Sequence, residues 1–309
     1  MTAAVRVSGL SKSFAAERAV EGVSFEVQRG ELFGLVGPDG AGKSTLLRML
    51  AGVLRPTSGD AEVFGASVVR DPERVKGDIA YMSQRFGLYS DLTVLENLKF
   101  YADLYEVPQG ERAARLERLF RFSSLEPFSS RLAGKLSGGM KQKLGLSCAL
   151  VHEPRLLLLD EPTFGVDPIS RRDLWLMVHE MVARGVTAVV STAYLDEAER
   201  FDRLLLLHRG RVLDSGTPEE LLSRIEGEIL DVWATPLREA RALLTKHPAV
   251  LGASIFGDRL HVSVRSAAGD REELERALGE AGVEVHEIAP IAPTLEDRFI
   301  EAVSKAEAA

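Results

Sequence analysis

The chain has 309 residues, 45% of them hydrophobic and 27% charged, enough for a large globular domain with a smaller one appended and no covalent staples. Its 46 acidic residues against 38 basic ones leave a net charge of −8, the reverse of the balance expected of a polyanion binder, so nucleic acid is not expected as a partner. The single cysteine, Cys148, excludes an intrachain disulfide, and no apolar run approaches the roughly 20 residues needed to span a bilayer. The opening Met-Thr-Ala-Ala-Val-Arg lacks the charged-then-apolar pattern of a signal peptide. A cytosolic chain is expected, reaching a membrane only through a partner.

In chain order, short apolar runs predict strands at 5–7, 23–27, 32–36, 79–82, 156–160, 188–191 and 204–207. Helical patterns fall at 43–51, 94–105, 112–122, 138–151 and 170–184, and a closing helix at 218–225. Apolar strands separated by helices predict an α/β domain with a mainly parallel sheet covered on both faces. After residue 226 the pattern changes to strand 229–234, helix 237–246, a hairpin of 251–256 with 260–265 turning at Gly257-Asp258, helix 271–281 and strand 283–288. That β-α-β-β-α-β order is the ferredoxin-like, α+β pattern. A last helix at 294–306 has Thr294 as N-cap and Asp297 in its first turn.

The chemistry concentrates at a few places. Gly37, Pro38, Asp39, Gly40, Ala41, Gly42, Lys43, Ser44 and Thr45 follow the 32–36 strand, open a helix, and fit G-x-x-x-x-G-K-[ST]. Glycines let backbone N–H groups curl around phosphate oxygens, and the helix N-terminus adds partial positive charge. Lys43 is expected on the β and γ phosphates of ATP, and the Ser44 hydroxyl on Mg²⁺. The second half of such a site is the carboxylate pair Asp160-Glu161 ending the four-leucine run 156–159. Asp160 is expected to hold Mg²⁺ through water and Glu161 to act as general base on the attacking water.

Leu136-Ser-Gly-Gly-Met-Lys-Gln142 is a second anion-binding helix start, with Ser137 as cap and Gly138 and Gly139 behind it. With the phosphate loop and the acidic pair, it resembles the signature of the ATP-binding-cassette superfamily. The chain looks like an ATPase subunit of that superfamily. The resemblance implies a P-loop NTPase cassette over 1–225 with a helical subdomain at about 85–150, and an accessory domain over 226–309. It implies a head-to-tail pairing with a second cassette, in which Ser137, Gly138 and Gly139 close over the partner's ATP. Gln84 matches the glutamine that senses Mg²⁺ and water, and the stretch 85–97 matches the surface that meets a multi-span membrane permease. Phe14 falls where an aromatic stacks on adenine, the other reading being a core aromatic. Gly165-Val166-Asp167 resembles the loop linking the two sites of the pair.

Two positions depart from the family pattern. Asp39 stands where asparagine is usual and is expected to face away from phosphate. Ala193 stands where the family's switch histidine contacts the γ-phosphate, and no other histidine lies near it in sequence. Residues 293–300 resemble the ending of drug, antibiotic and lipid exporter cassettes. The expected protein is therefore a peripheral ATPase on the cytoplasmic face of the plasma membrane that powers export. An importer subunit, or a soluble cassette protein acting on ribosome or DNA, is the alternative.

Overall fold

The computed structural model describes residues 3–15, 17–84 and 87–308, which form two compact units, Met1–Val212 and Leu213–Ala309. The first unit begins with two long strands, β1 (Ala3–Phe14) and β2 (Glu17–Gln28), followed by β3 (Leu32–Val36) and α1 (Lys43–Leu50). Next come β4 (Ser58–Val63), β5 (Ala66–Ser67), α2 (Pro72–Asp78) and β6 (Ile79–Met82). A helical stretch follows: α3 (Val94–Leu104), α4 (Gln109–Ser123) and α5 (Gly138–Leu150). The unit closes with β7 (Leu156–Asp160), α6 (Pro168–Ala183), β8 (Thr187–Thr192), β9 (Arg203–His208) and the start of β10 (Arg211–Gly216).

The parallel sheet runs β9-β3-β8-β7-β6, with β10 at its edge. Strands β3, β7 and β8 are buried at every position, as strands covered on both faces must be. The early strands correct the sequence expectation. β1 and β2 do not join the parallel sheet but form a separate antiparallel sheet of order β2-β1-β4-β5. The reason is visible along β1, where Val5, Val7 and Leu10 are buried while Arg6, Ser8 and Gly9 between them are exposed, the signature of a sheet with one wet face. The helix α1 lies between the two sheets, its Leu46, Leu47 and Leu50 sharing one core with Val5 and Val7 on one side and Leu35 and Leu158 on the other.

The second unit holds α7 (Pro218–Leu222), β11 (Glu228–Thr235), α8 (Leu237–Leu244), β12 (Val250–Phe256), β13 (Arg259–Val264), α9 (Ala267–Glu280), β14 (Glu284–Ile291) and α10 (Leu295–Ala308). Its sheet is antiparallel with order β12-β13-β11-β14, the ferredoxin-like arrangement read from the sequence. Leu230, Val232, Leu260 and Val262 form its core with Leu274 and Leu278 of α9. Thr294 caps α10 as expected: its hydroxyl accepts from the Asp297 amide at 3.3 Å while Asp297 accepts from the Thr294 amide at 2.8 Å.

The division after Val212 lies earlier in the chain than the 225/226 boundary expected from the sequence. Two observations account for it. The short helix α7 packs against α10, and Asp214 accepts bonds from Arg298 and Arg224, all within the second unit.

Candidate functional site

The loop between β3 and α1 turns at Gly42, whose φ of 100° is one that a side chain resists, and an added Cβ there would lie 2.5 Å from the Ala19 carbonyl oxygen. The turn aims the first residue of α1 back into the loop. Lys43 is 4% exposed; its ammonium donates to the carbonyls of Gly37 at 2.7 Å and Pro38 at 3.0 Å. It also pairs with Glu161 Oε1 at 3.0 Å. The next residue, Ser44, donates to Asp160 Oδ1 at 2.8 Å. The sequence-predicted lysine, serine and carboxylate pair therefore converge, although 116 residues separate Ser44 from Asp160.

Glu161 is 7% exposed and sits at φ 49°, a left-handed conformation unusual for a residue with a side chain. Its amide bonds both the carbonyl and the hydroxyl of Ser191, at 3.2 and 3.0 Å. Its second carboxylate oxygen accepts from Gln84 Nε2 at 3.1 Å. Asp160 also accepts from Ser191 Oγ at 2.8 Å and contacts the Tyr81 hydroxyl at 3.4 Å. Burial raises the Tyr81 phenol above its usual range and the neighbouring Asp160 adds to the rise, while Arg48 opposes it, so Tyr81 is a neutral donor at physiological pH.

These groups open onto a cleft of about 530 Å³, within the range of small-ligand sites. Phe14, Asp39, Gly40, Ala41, Gly42, Lys43, Ser44, Thr45, Gln84 and Glu161 line it. Phe14 is 48% exposed, which removes the core-aromatic reading, and Lys12 lies 5.2 Å from its ring centroid. Asp39 was expected to face away; it is exposed but belongs to the cleft lining. Sequence reasoning missed Glu17, Arg18 and Arg209 in the lining, and missed Ser191 as a partner of both carboxylate residues. No local pattern marked them.

Ser137, Gly138 and Gly139 lie elsewhere, outside the described lining of the cleft. Ser137 caps α5 by accepting from the Met140 amide at 3.3 Å, and both Ser137 and Gly138 are exposed. Gly139 is buried because α5 and α6 meet there: an added Cβ would fall 2.2 Å from Ser170 Cβ. Asp167 caps α6 beside them, accepting from the Ser170 amide at 2.9 Å. Arg85 and Phe86, which open the stretch 85–97, lie outside the described residues.

Ala193 follows β8. Both of its neighbours are engaged within the chain. Thr192 is 1% exposed, and its hydroxyl bonds Glu197 at 2.8 Å and the Tyr194 amide at 3.0 Å. The Tyr194 ring is engaged by the Arg171 guanidinium, 4.4 Å from its centroid.

A loop-cradled lysine, a hydroxyl bonded to an aspartate, and a glutamate tied to lysine and glutamine define a phosphate-loop nucleotide-binding cassette. The ABC transporter family pattern matches residues 20–164, and the pattern of the DrrA1-3-like ATP-binding protein C-terminal domain matches 216–303. The chain is 44% identical to the probable multidrug ABC transporter ATP-binding protein YbhF of Escherichia coli over 97% of its own length, but it spans only 52% of that relative. It is 34% identical to the daunorubicin resistance ATP-binding protein DrrA3 of Streptomyces coeruleorubidus, covering 96% of this chain and 95% of that one. A solved ATP-binding subunit of an ABC transporter superposes with a TM-score of 0.66 at 35% identity, covering 72% of this chain and 93% of the other. The chain belongs to the ABC transporter family of ATP-binding proteins, in the branch that carries a DrrA-like C-terminal domain.

Proposed function

We propose that the chain is the ATP-hydrolysing subunit of an exporter, powering a separate multi-span permease from its cytoplasmic face. The observation that carries this is the buried Lys43–Glu161 pair beside the Ser44–Asp160 bond at the floor of one cleft. Lys43 neutralises phosphate charge, and the amides of residues 40–44 follow it into the start of α1. Ser44, Asp160 and Gln84 offer hard, neutral or anionic oxygens, a set that fits Mg²⁺ shared with substrate phosphates. Bound there, Mg²⁺ supplies charge neutralisation at the β and γ phosphates. Glu161, held by Lys43 and Gln84, accepts the proton of the attacking water. Phe14 provides an exposed ring for the adenine.

Export is the direction supported by the DrrA-like C-terminal domain and by relatives named for multidrug and daunorubicin resistance. A second cassette is supported by the position of Ser137 and Gly138, exposed and away from this chain's own cleft, where they can close over a partner's phosphate. Ala193 supplies no hydrogen bond to the γ-phosphate, and the engagement of Thr192 and Tyr194 supports a slow site in this chain, paired with a faster one.

Phosphate release by the purified chain tests the reading. Wild type is expected to bind ATP tightly and turn over slowly. Glu161→Gln abolishes the residual rate while keeping binding, and Ala193→His raises the rate by about 100-fold, the worth of one transition-state hydrogen bond. Fast wild-type turnover unchanged by Ala193→His rules out the slow-site reading, and normal turnover in Glu161→Gln removes the base.

A further inference from the structure

Glu197 is a buried carboxylate that the chemistry above does not use. It lies in the short 3-10 helix Leu195–Arg200 after β8 and is 1% exposed. One oxygen accepts from the hydroxyls of Thr163, at 3.1 Å, and Thr192, at 2.8 Å. The other accepts from Trp175 Nε1 at 3.0 Å, with Arg171 Nε 3.7 Å away. Burying a carboxylate costs desolvation that its hydrogen bonds must offset, so its worth is to be sought in the groups it joins.

Its task can be read from what its partners hold. Thr163 lies in the turn directly after Glu161, a turn closed by the Phe164 amide on the Glu161 carbonyl at 3.1 Å. Thr192 ends β8; its carbonyl accepts the amide of Gly37, the first residue of the phosphate loop, at 3.2 Å. Glu197 thus bonds the segment that follows Glu161 to the strand end that abuts the phosphate loop. Glu161 keeps a left-handed backbone, which persists only where the surroundings over-determine it. Ser191 secures its amide side, and Thr163 lies on its carbonyl side.

We infer that Glu197 is a positioning residue for the proposed hydrolysis: by bracing Thr163 against Thr192 it fixes the direction of the Glu161 carboxylate relative to Lys43. With alanine at 193, this brace and the Ser191 hydroxyl are the side-chain connections described from the end of β8 to the turn carrying the base. The inference rests on the hydrolytic reading given above.

Thr163→Val removes one donor at nearly constant volume, and Thr163→Ser keeps it. In steady-state phosphate release by the full chain, Thr163→Val and Glu197→Gln are expected to lower kcat by about 10- to 100-fold, the scale of a misplaced catalytic group. The KM for MgATP should move by less than about twofold, because substrate binding is not the interaction removed. Thr163→Ser restores most of the rate. The double variant Thr163→Val/Glu197→Gln is no slower than the slower of the two single variants, because both break the same brace. A folded Thr163→Val with unchanged kcat, a parallel rise in KM, or losses that multiply in the double variant overturns the inference while leaving hydrolysis intact. Wild type without any turnover overturns the hydrolytic reading, and this inference with it.

Discussion

Lys43 shows how far single residues could be read in advance. Its place in the phosphate loop, with Ser44, Asp160 and Glu161, followed from short local patterns whose chemistry demands those side chains, while Gln84 followed from the family resemblance alone. Its actual partners were less legible: the Gly37 and Pro38 carbonyls and Glu161 surround it at 2.7 to 3.0 Å. Lys43→Ala leaves Glu161 buried without its cation, so ATP affinity should fall by an amount equivalent to about 2–5 kcal/mol, as for truncation of one partner of a buried charge pair. Titration with a fluorescent ATP analogue checks this, and an affinity within error of wild type would contradict the assignment. Ser191 and Glu197 were missed because their meaning lies in partners about 30 residues away or in a packed interior, which no spacing rule encodes.

Among the elements, the longer helices and buried parallel strands matched their sequence signals, since a continuous apolar run and a capped amphipathic stretch carry their own period; the seven-residue α2 was not read. The antiparallel sheet did not. Residues 5–7 sample only the first half of one twelve-residue strand and 23–27 only the second half of the other, and the register shifts along β1 break the alternation that would have revealed their length. The signature helix adds a constraint that only packing reveals. Gly139 lies at the crossing of α5 and α6, where a Cβ would meet Ser170 at 2.2 Å. Gly139→Ala is expected to destabilise the first unit by about 1–3 kcal/mol through overpacking. Thermal unfolding of that unit should show a lowered midpoint; an unchanged one would mean that the two helices separate freely.

For the whole molecule, the order of elements was legible after residue 226, whereas β4, β5, α2 and β10 were not read and the point of division was placed too late. A helix start at Pro218 looks the same whichever unit it serves; only the bonds of Asp214 decide. Burial pushes the Asp214 carboxyl up, but Arg298, the Ser215 amide and Arg224 together hold it below the usual carboxylate range. A depressed folded-state value means that its stabilisation is complete above the ordinary carboxylate pKa and is lost as pH falls through the folded value. Asp214→Asn should therefore cost the second unit about 1.5–3 kcal/mol near neutrality, the worth of hydrogen bonds to a charged group, with the difference shrinking in acid. Denaturant titrations at pH 7 and pH 3 would separate this from a pH-independent packing loss. A fragment of residues 213–309 is expected to unfold cooperatively, and one of 226–309, lacking Asp214, Arg224 and α7, to melt lower.

The central place of β3 in its sheet has a consequence for how the protein is made. β3 leaves the ribosome early, yet both of its neighbours, β8 and β9, are encoded more than 150 residues later. At about 5–20 residues per second, the 116 residues between Ser44 and Asp160 alone take roughly 6–23 seconds to synthesise. Throughout that interval the phosphate loop has no strand on either side of β3 and no carboxylate to meet its lysine and serine. A nascent cassette is therefore expected to lack the completed Lys43–Glu161 and Ser44–Asp160 floor of the cleft until β7 has emerged. Until β8 emerges its most apolar strand waits with both edges open, the stage at which chaperones would find it.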